Sequence, residues 1–292
     1  MKERSQTFPT NRIEVFVDLM KHHKFELLKA NLWFLLFSFL SFGLLYFYYL
    51  YSGVVHVSVA DGSLTLPNGP DGTPITVDEY LLGFRTILLS TMIITNIPFF
   101  LGLGGLQKVV QTLIFAEPID KVRIIFFEGV KKNAKQFIAL SLIFSIVIDF
   151  SQFMLTFYFL YSIDVVGIIC IAISIMLLII LYHFIPFAIP TSNLYKMTFP
   201  GLIKNSLGLY FARWLRNIPL TWLISVPIAL FLIPSTYFVS IWFFIFIMLY
   251  MPLALIVMTL SFNEVCDDKV NKTQFPEIYR KGLFDKNSGD NI

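Results

Sequence analysis

The chain has 292 residues, 57% of them apolar and only 14% charged, with a net charge of +3 and a mean hydropathy of +0.74. Soluble domains carry roughly 45–50% apolar and about 25% charged residues, so the composition excludes an ordinary soluble fold and points to a membrane protein. Cys170 in an apolar run and Cys266 in the polar tail share no pairing depth and are expected as free thiols; the 32 phenylalanines read as matching to a bilayer.

A hydrocarbon core about 30 Å thick needs about 20 apolar residues in a helix. Six runs meet or approach that length: Asn31–Leu50, Thr86–Leu106, Phe137–Leu160, Val165–Ile189, Ile218–Ile233 and Tyr237–Phe262. The fifth is the shortest and holds Pro219 and Pro227. A polar segment precedes the first run, which is long and has no small-residue cleavage site after it, so no cleavable signal is expected. With six spans, 21 of the 22 basic residues fall on one side and only Arg85 on the other. The positive-inside rule makes that side the cytoplasm and puts both termini there.

The expected fold is all-α: a single polytopic transmembrane helix bundle over residues 1–292. It has a cytoplasmic amphipathic segment (1–30), an extracytoplasmic insertion (51–85) and a cytoplasmic tail (263–292). In the insertion, Val55, Val57 and Val59 alternate with polar residues before Asp61-Gly62, and Leu64 and Leu66 alternate after it. That pattern predicts a small β-hairpin. Thr76-Val77-Asp78-Glu79 then fits a capping box that starts the next helix near Val77.

Each inside segment before an outward-going span reads as an amphipathic interfacial helix. Ile13, Phe16, Val17, Met20, Leu27 and Leu28 show helical spacing, as do Ile119, Val122, Ile125 and Phe126 after Glu117-Pro118, and Leu202, Leu209, Tyr210 and Trp214 after Thr198. Two of these segments match in part, Phe127-Glu128-Gly129-Val130-Lys131-Lys132-Asn133 with Phe199-Pro200-Gly201-Leu202-Ile203-Lys204-Asn205, which hints at a parallel repeat.

Asp149 lies near the middle of the third span, about 18 Å from Phe137 at 1.5 Å per residue. An ionised aspartate there costs at least about 2.5–3.5 kcal/mol, so it must be neutral, paired or facing water. Asn96 lies at similar depth, Gln152 almost one turn beyond Asp149, and His183 nearer the inner surface. Two readings stand: a polar site for a proton, a cation or a polar ligand, or a protonated Asp149 bonded across helices to Asn96. Pro98 predicts a kink in the second span, and Gly102, Gly104 and Gly105 allow close helix approach.

Catalytic patterns are not evident. His22 and His23 are adjacent and point apart on a helix, and His56 and His183 stand alone, so no metal site is expected. No zinc-protease, phosphate-loop, dinucleotide or nucleophile-elbow motif occurs, and no cofactor is expected. The basic residues sit beside membrane-anchoring segments, which makes the lipid bilayer the expected partner rather than nucleic acid.

Four stretches together resemble the YesL-like family of bacterial integral membrane proteins, a domain of unknown function. They are Lys29-Ala30-Asn31-Leu32-Trp33-Phe34-Leu35-Leu36; Pro98 through Gly105 and Lys108 to Glu117; Phe126-Phe127-Glu128-Gly129-Val130-Lys131-Lys132-Asn133; and Leu202-Ile203-Lys204-Asn205-Ser206-Leu207 leading to Asn217-Ile218-Pro219. The insertion from Tyr51 to Arg85 is longer than members of that family usually carry. The resemblance implies an accessory role beside carbohydrate-uptake systems in the plasma membrane, with other membrane proteins or transporter subunits as partners. It supplies no catalytic or binding residues. The expected function is that of a non-catalytic multi-pass protein assisting a transport system; the alternative is a small-solute or ion transporter working around Asp149.

Overall fold

A computed structural model describes residues 9–69, 72–161, 164–233 and 236–283, and among these the chain is helical with no strand. The helices are α1 (Arg12–His22), α2 (Lys24–Ala60), α3 (Val77–Ile114), α4 (Val122–Lys132), α5 (Ala134–Tyr161), α6 (Val165–Leu194), α7 (Phe199–Ala212), α8 (Trp214–Ala229), α9 (Thr236–Ile245), α10 (Met251–Cys266) and the short α11 (Lys272–Gln274). Five helical segments are long and apolar enough to cross a membrane: Lys24–Ala60, Val77–Ile114, Ala134–Tyr158, Val165–Leu194 and Tyr237–Gln274. The last joins α9, α10 and α11 through two π-helical stretches, Phe246–Tyr250 and Asp267–Asn271.

The fifth apolar run differs from the other five. It forms α8, only 16 residues long and containing Pro219 and Pro227, followed by a 3-10 turn at Leu230–Leu232. The carbonyl of Pro227 accepts a hydrogen bond from Trp242 Nε1 of α9 at 2.9 Å.

Three of the helix junctions share one backbone form. α1 meets α2 at His23 (φ −119°, ψ 16°), α4 meets α5 at Asn133 (φ −121°, ψ 23°), and α7 meets α8 at Arg213 (φ −134°, ψ 46°). Each elbow joins a short helix directly to the next without an intervening loop; α2 and α5 are long and apolar, while α8 is short. The three junctions share this form, but the windows matched in the sequence do not fall in the same register relative to them. Asn133 ends one window at its elbow, whereas Asn205 lies inside α7 and that elbow falls later, at Arg213.

The helices α3, α6 and α10 contact one another, and α3 also packs against α2, α4 and α5. Glycines make the close packing of α3 feasible. A Cβ at Gly102 would meet Phe37 Cβ at 2.7 Å, one at Gly104 the Phe137 ring at 2.8 Å, and one at Gly105 the Phe126 ring at 2.8 Å. Rings from α2, α5 and α4 thus seat in three sockets along one helix. Phe34, Phe100, Phe126, Phe137 and Phe262 are fully buried, so part of the phenylalanine content fills the protein interior rather than facing lipid. α3 runs through Pro98 as one helix; Ser41 Oγ donates to Thr95 O at 2.9 Å, beside the carbonyl that Pro98 leaves without a helical donor.

The connection from α2 to α3 corrects the hairpin expectation. Val55, Val57 and Val59 belong to the last turns of α2, and Val55 is buried. Asp61-Gly62 ends that helix, with Gly62 at φ +76° and its N–H on Val59 O, a role glycine fills because a left-handed residue carries no Cβ penalty there. Helix won over strand because α2 meets no proline or stop signal before Gly62. The connection that does form is a small turn: Gly69 N–H donates to Thr73 O, Ile75 N–H donates to Pro67 O, and Asn68 bridges to Pro74. The capping box at Thr76 and Glu79 is present in both directions, and α3 starts at Val77. α4 starts at Val122, later than Glu117-Pro118 suggests, because the chain reverses at Ala116 (φ 53°) and stays irregular until the Lys121 N-cap.

Candidate functional site

Asp149 and Asn96 do not pair. Ser90 Oγ donates to Asp149 Oδ2 at 3.1 Å, and Asn96 Nδ2 donates to Ser145 Oγ at 2.9 Å. These are two separate rungs between α3 and α5, placed one turn apart on α5 because Ser145 precedes Asp149 by four residues. Asn96 and Ser145 are buried, while Asp149 and Gln152 are partly exposed. Arg85 lies further along the same two helices, where Nε donates to Tyr48 Oη at 2.8 Å and Nη1 to Thr156 Oγ1 at 3.3 Å. His183 belongs elsewhere: its Nδ1 sits 2.8 Å from Tyr210 Oη of α7.

A group of buried polar side chains lies where α3, α6 and α10 meet. Gln107 Nε2 donates to Thr259 Oγ1 at 2.9 Å, and Asn193 Nδ2 donates to Gly104 O at 3.3 Å. α3 and α10 run the same way here, so Gln111 and Asn263 each follow one turn later. Asn263 is 2% exposed and neither of its amide atoms has a partner; Gln111 Nε2 is likewise unpartnered. Buried amides of this kind usually hold water or another polar group.

A second network lies at the end of the bundle that holds α1, α4 and α7. Tyr210 Oη lies 2.9 Å from Thr221 Oγ1, Asn217 Nδ2 donates to Tyr210 O at 2.7 Å, and Ser261 Oγ donates to Asn217 Oδ1 at 3.1 Å. Arg216 bonds Ser261 and Glu264, and Arg213 bonds Glu264 and Asp268. Burial pushes the Tyr210 phenol up from its ordinary value. The arginines of the third elbow are thus turned inward onto acids of the last long helix.

The third of those acids, Asp267, binds the N-terminal helix. Arg12 Nη2 meets Asp267 Oδ2 at 2.6 Å, with both side chains less than a tenth exposed. Arg12 Nη1 donates to Lys281 O, Arg280 N–H donates to Asp267 Oδ1, and Asn271 Nδ2 donates to Asp267 Oδ1. Tyr195 Oη donates to Asn271 Oδ1, and burial raises the Tyr195 phenol strongly. Lys281 Nζ meets Glu117 Oε1 at 2.6 Å. α1 and the residues up to Leu283 are therefore clamped to one end of the bundle, beside a cleft of about 490 Å³ bordered by Arg12, Glu264, Asp267, Asp268 and Arg280.

The sequence reading missed these ionic clusters. One signal existed: Glu264, Asp267 and Asp268 follow directly on an apolar span, and the fourth-to-fifth connection carries basic residues without an acid. No group of three or more His, Cys, Asp or Glu among the described residues could hold a metal ion, and Cys170 and Cys266 are both free. Compared with family models, curated proteins and solved structures, the chain matches none.

Proposed function

We propose that the chain is a non-catalytic, six-span plasma-membrane protein with both termini in the cytoplasm, serving as an accessory or assembly component of a transport system such as carbohydrate import. The observation that carries this reading is the construction of one end of the bundle. Three elbow helices and the last described residues, up to Leu283, gather there, tied by the Arg12–Asp267 and Lys281–Glu117 ion pairs. They leave apolar side chains outward, such as Ile13 of α1 at 77% and Ile124 of α4 at 58% exposure. Such a face suits docking to a membrane surface and to a neighbouring membrane protein.

The sixth span rests on α8. Its 16 residues and the following 3-10 turn reach about 30 Å, which matches a hydrocarbon core. The orientation rests on the basic residues, 21 of 22 on one side. The link to sugar uptake rests on the YesL-like resemblance alone. Affinity purification of the full chain from native membranes in mild detergent tests the reading. It is supported if a transporter subunit co-purifies in fixed ratio, and it fails if the chain emerges without any transport component.

A second reading, a small-solute or ion transporter, is favoured by one observation: the unpartnered amides of Asn263 and Gln111 where three helices converge, with Asp149 further out. A cysteine at position 149 or 263, in a chain lacking Cys170 and Cys266, would then react with a small water-soluble thiol reagent. Asp149→Asn would also impair growth on the transported solute. Absence of labelling at both positions removes this reading.

A further inference from the structure

We infer that the outer face of α4, together with the base of α2, is a binding site for an anionic phospholipid. The site rests on the membrane reading above, which places the elbows at the interface. Arg123, Ile124, Phe127, Glu128 and Lys131 border a shallow groove of about 380 Å³ along α4. Arg123 and Lys131 stand two turns apart, with Phe127 between them. Neither makes an ion pair or side-chain hydrogen bond among the described residues. The one acid in the groove, Glu128, faces Lys108 at 3.9 Å, so its charge is partly met from within the protein. The groove therefore presents two uncommitted positive charges around an apolar floor.

That floor continues onto a membrane helix. Phe127 packs edge-on against Trp33 of α2 (5.4 Å between centroids) and against Phe37 (6.1 Å). Leu32 and Leu36, beside them on α2, are 52% and 67% exposed. A phosphate held between Arg123 and Lys131 would have its acyl chains led along Ile124 and Phe127 onto this apolar flank. Charge at one end and a continuous apolar track at the other fit a phospholipid. A free phosphate would use only the charged end.

The third elbow supports the assignment by contrast. Its arginines, Arg213 and Arg216, are paired with Glu264 and Asp268, whereas Arg123 and Lys131, just before the Asn133 elbow, make no ion pair among the described residues. Near an anionic surface each basic residue contributes about five-fold in affinity, so removing two should weaken binding about thirty-fold.

The experiment titrates the purified full-length chain in detergent with phosphatidylglycerol, phosphatidylcholine or inorganic phosphate, and reads bound lipid by native mass spectrometry and the melting temperature. Phosphatidylglycerol should bind more tightly than phosphatidylcholine. Arg123→Gln/Lys131→Gln should lower phosphatidylglycerol affinity about thirty-fold and leave phosphatidylcholine unchanged. Lys269→Gln/Lys272→Gln, which removes two exposed charges near the C-terminal end, should have a much smaller effect. Equal losses in both double variants, or none in the first, would overturn the site. Protection by inorganic phosphate equal to that by phosphatidylglycerol would replace the lipid with a free anion and overturn it too. Recovery of the chain outside the membrane fraction would defeat the membrane reading itself, a failure visible before any titration.

Discussion

Asn31 and Met248 lie 217 residues apart in the chain, yet the Asn31 amide donates to the Met248 carbonyl at 2.8 Å and to the neighbouring Ile247 carbonyl at 3.0 Å. Pro252 explains why those carbonyls need a donor. It has no N–H to offer four residues back, and the helix opens into a π turn over Phe246–Tyr250 just before it. A side chain of the first long helix thus completes the backbone of the last one.

Asn31→Leu should destabilise the protein by about 1–3 kcal/mol, because it leaves a buried carbonyl without a donor. The same change in a Pro252→Ala background should cost less, since alanine restores the N–H. The check is a double-mutant cycle on unfolding in detergent. Equal costs in the two backgrounds would show that Asn31 does not serve the proline break.

The Arg12–Asp267 pair is buried on both sides. Arg12→Met should therefore cost about 3–5 kcal/mol by leaving an uncompensated carboxylate, whereas Arg12→Met with Asp267→Leu should recover much of that loss. Limited proteolysis of α1 reads the effect directly: rapid cutting in the single variant and slow cutting in the double variant.

Gly129 sits where a Cβ would lie 2.7 Å from Gly104 O and 2.5 Å from Lys108 Cβ. Backbone cannot move aside as a side chain tip can, so Gly129→Ala should cost about 1–3 kcal/mol by overpacking the α3–α4 contact. Gly43→Ala, with nothing within 4 Å of its Cβ, should be neutral or slightly stabilising. Melting temperatures of the two variants provide the comparison.

Tyr195 gives a pH prediction. Its ordinary phenol value is 10.0, and burial raises it in the folded protein. Below pH 10 both states keep the proton. Above pH 10 the unfolded chain releases it and the folded chain does not, so this residue's contribution to stability falls as pH rises. Tyr195→Phe should lower stability at neutral pH by removing the bond to Asn271, yet flatten the loss above pH 10. Melting temperatures measured from pH 8 to 11 should show the two curves converging.

Legibility in the sequence followed the range of the interaction. The capping box at Thr76 and Glu79 is a contact between residues three apart, and it forms as read. The glycines after Pro98 signalled close packing, and they do receive phenylalanine rings. The valine alternation near Val55 pointed to a strand only because helix and strand patterns overlap in so short a window; the uninterrupted length of α2 outweighed it. The pairing of Asp149 with Asn96 failed for a different reason. Depth along a helix can be counted from sequence, but rotation about its axis cannot, and rotation gives Asn96 to Ser145 and Asp149 to Ser90.

By itself the sequence determined that this chain is a set of long apolar helices, because in lipid each backbone polar group must be met within its own segment. That constraint acts locally and is written in runs of about 20 apolar residues. Tertiary structure alone decided which polar side chains meet: Asn31 with Met248, Arg12 with Asp267, and Arg213 and Arg216 with Glu264. Each of these joins residues far apart in the chain, and each depends on which face a helix turns to its neighbour. The packing of glycine sockets and phenylalanine rings sets that choice, and no single segment carries it.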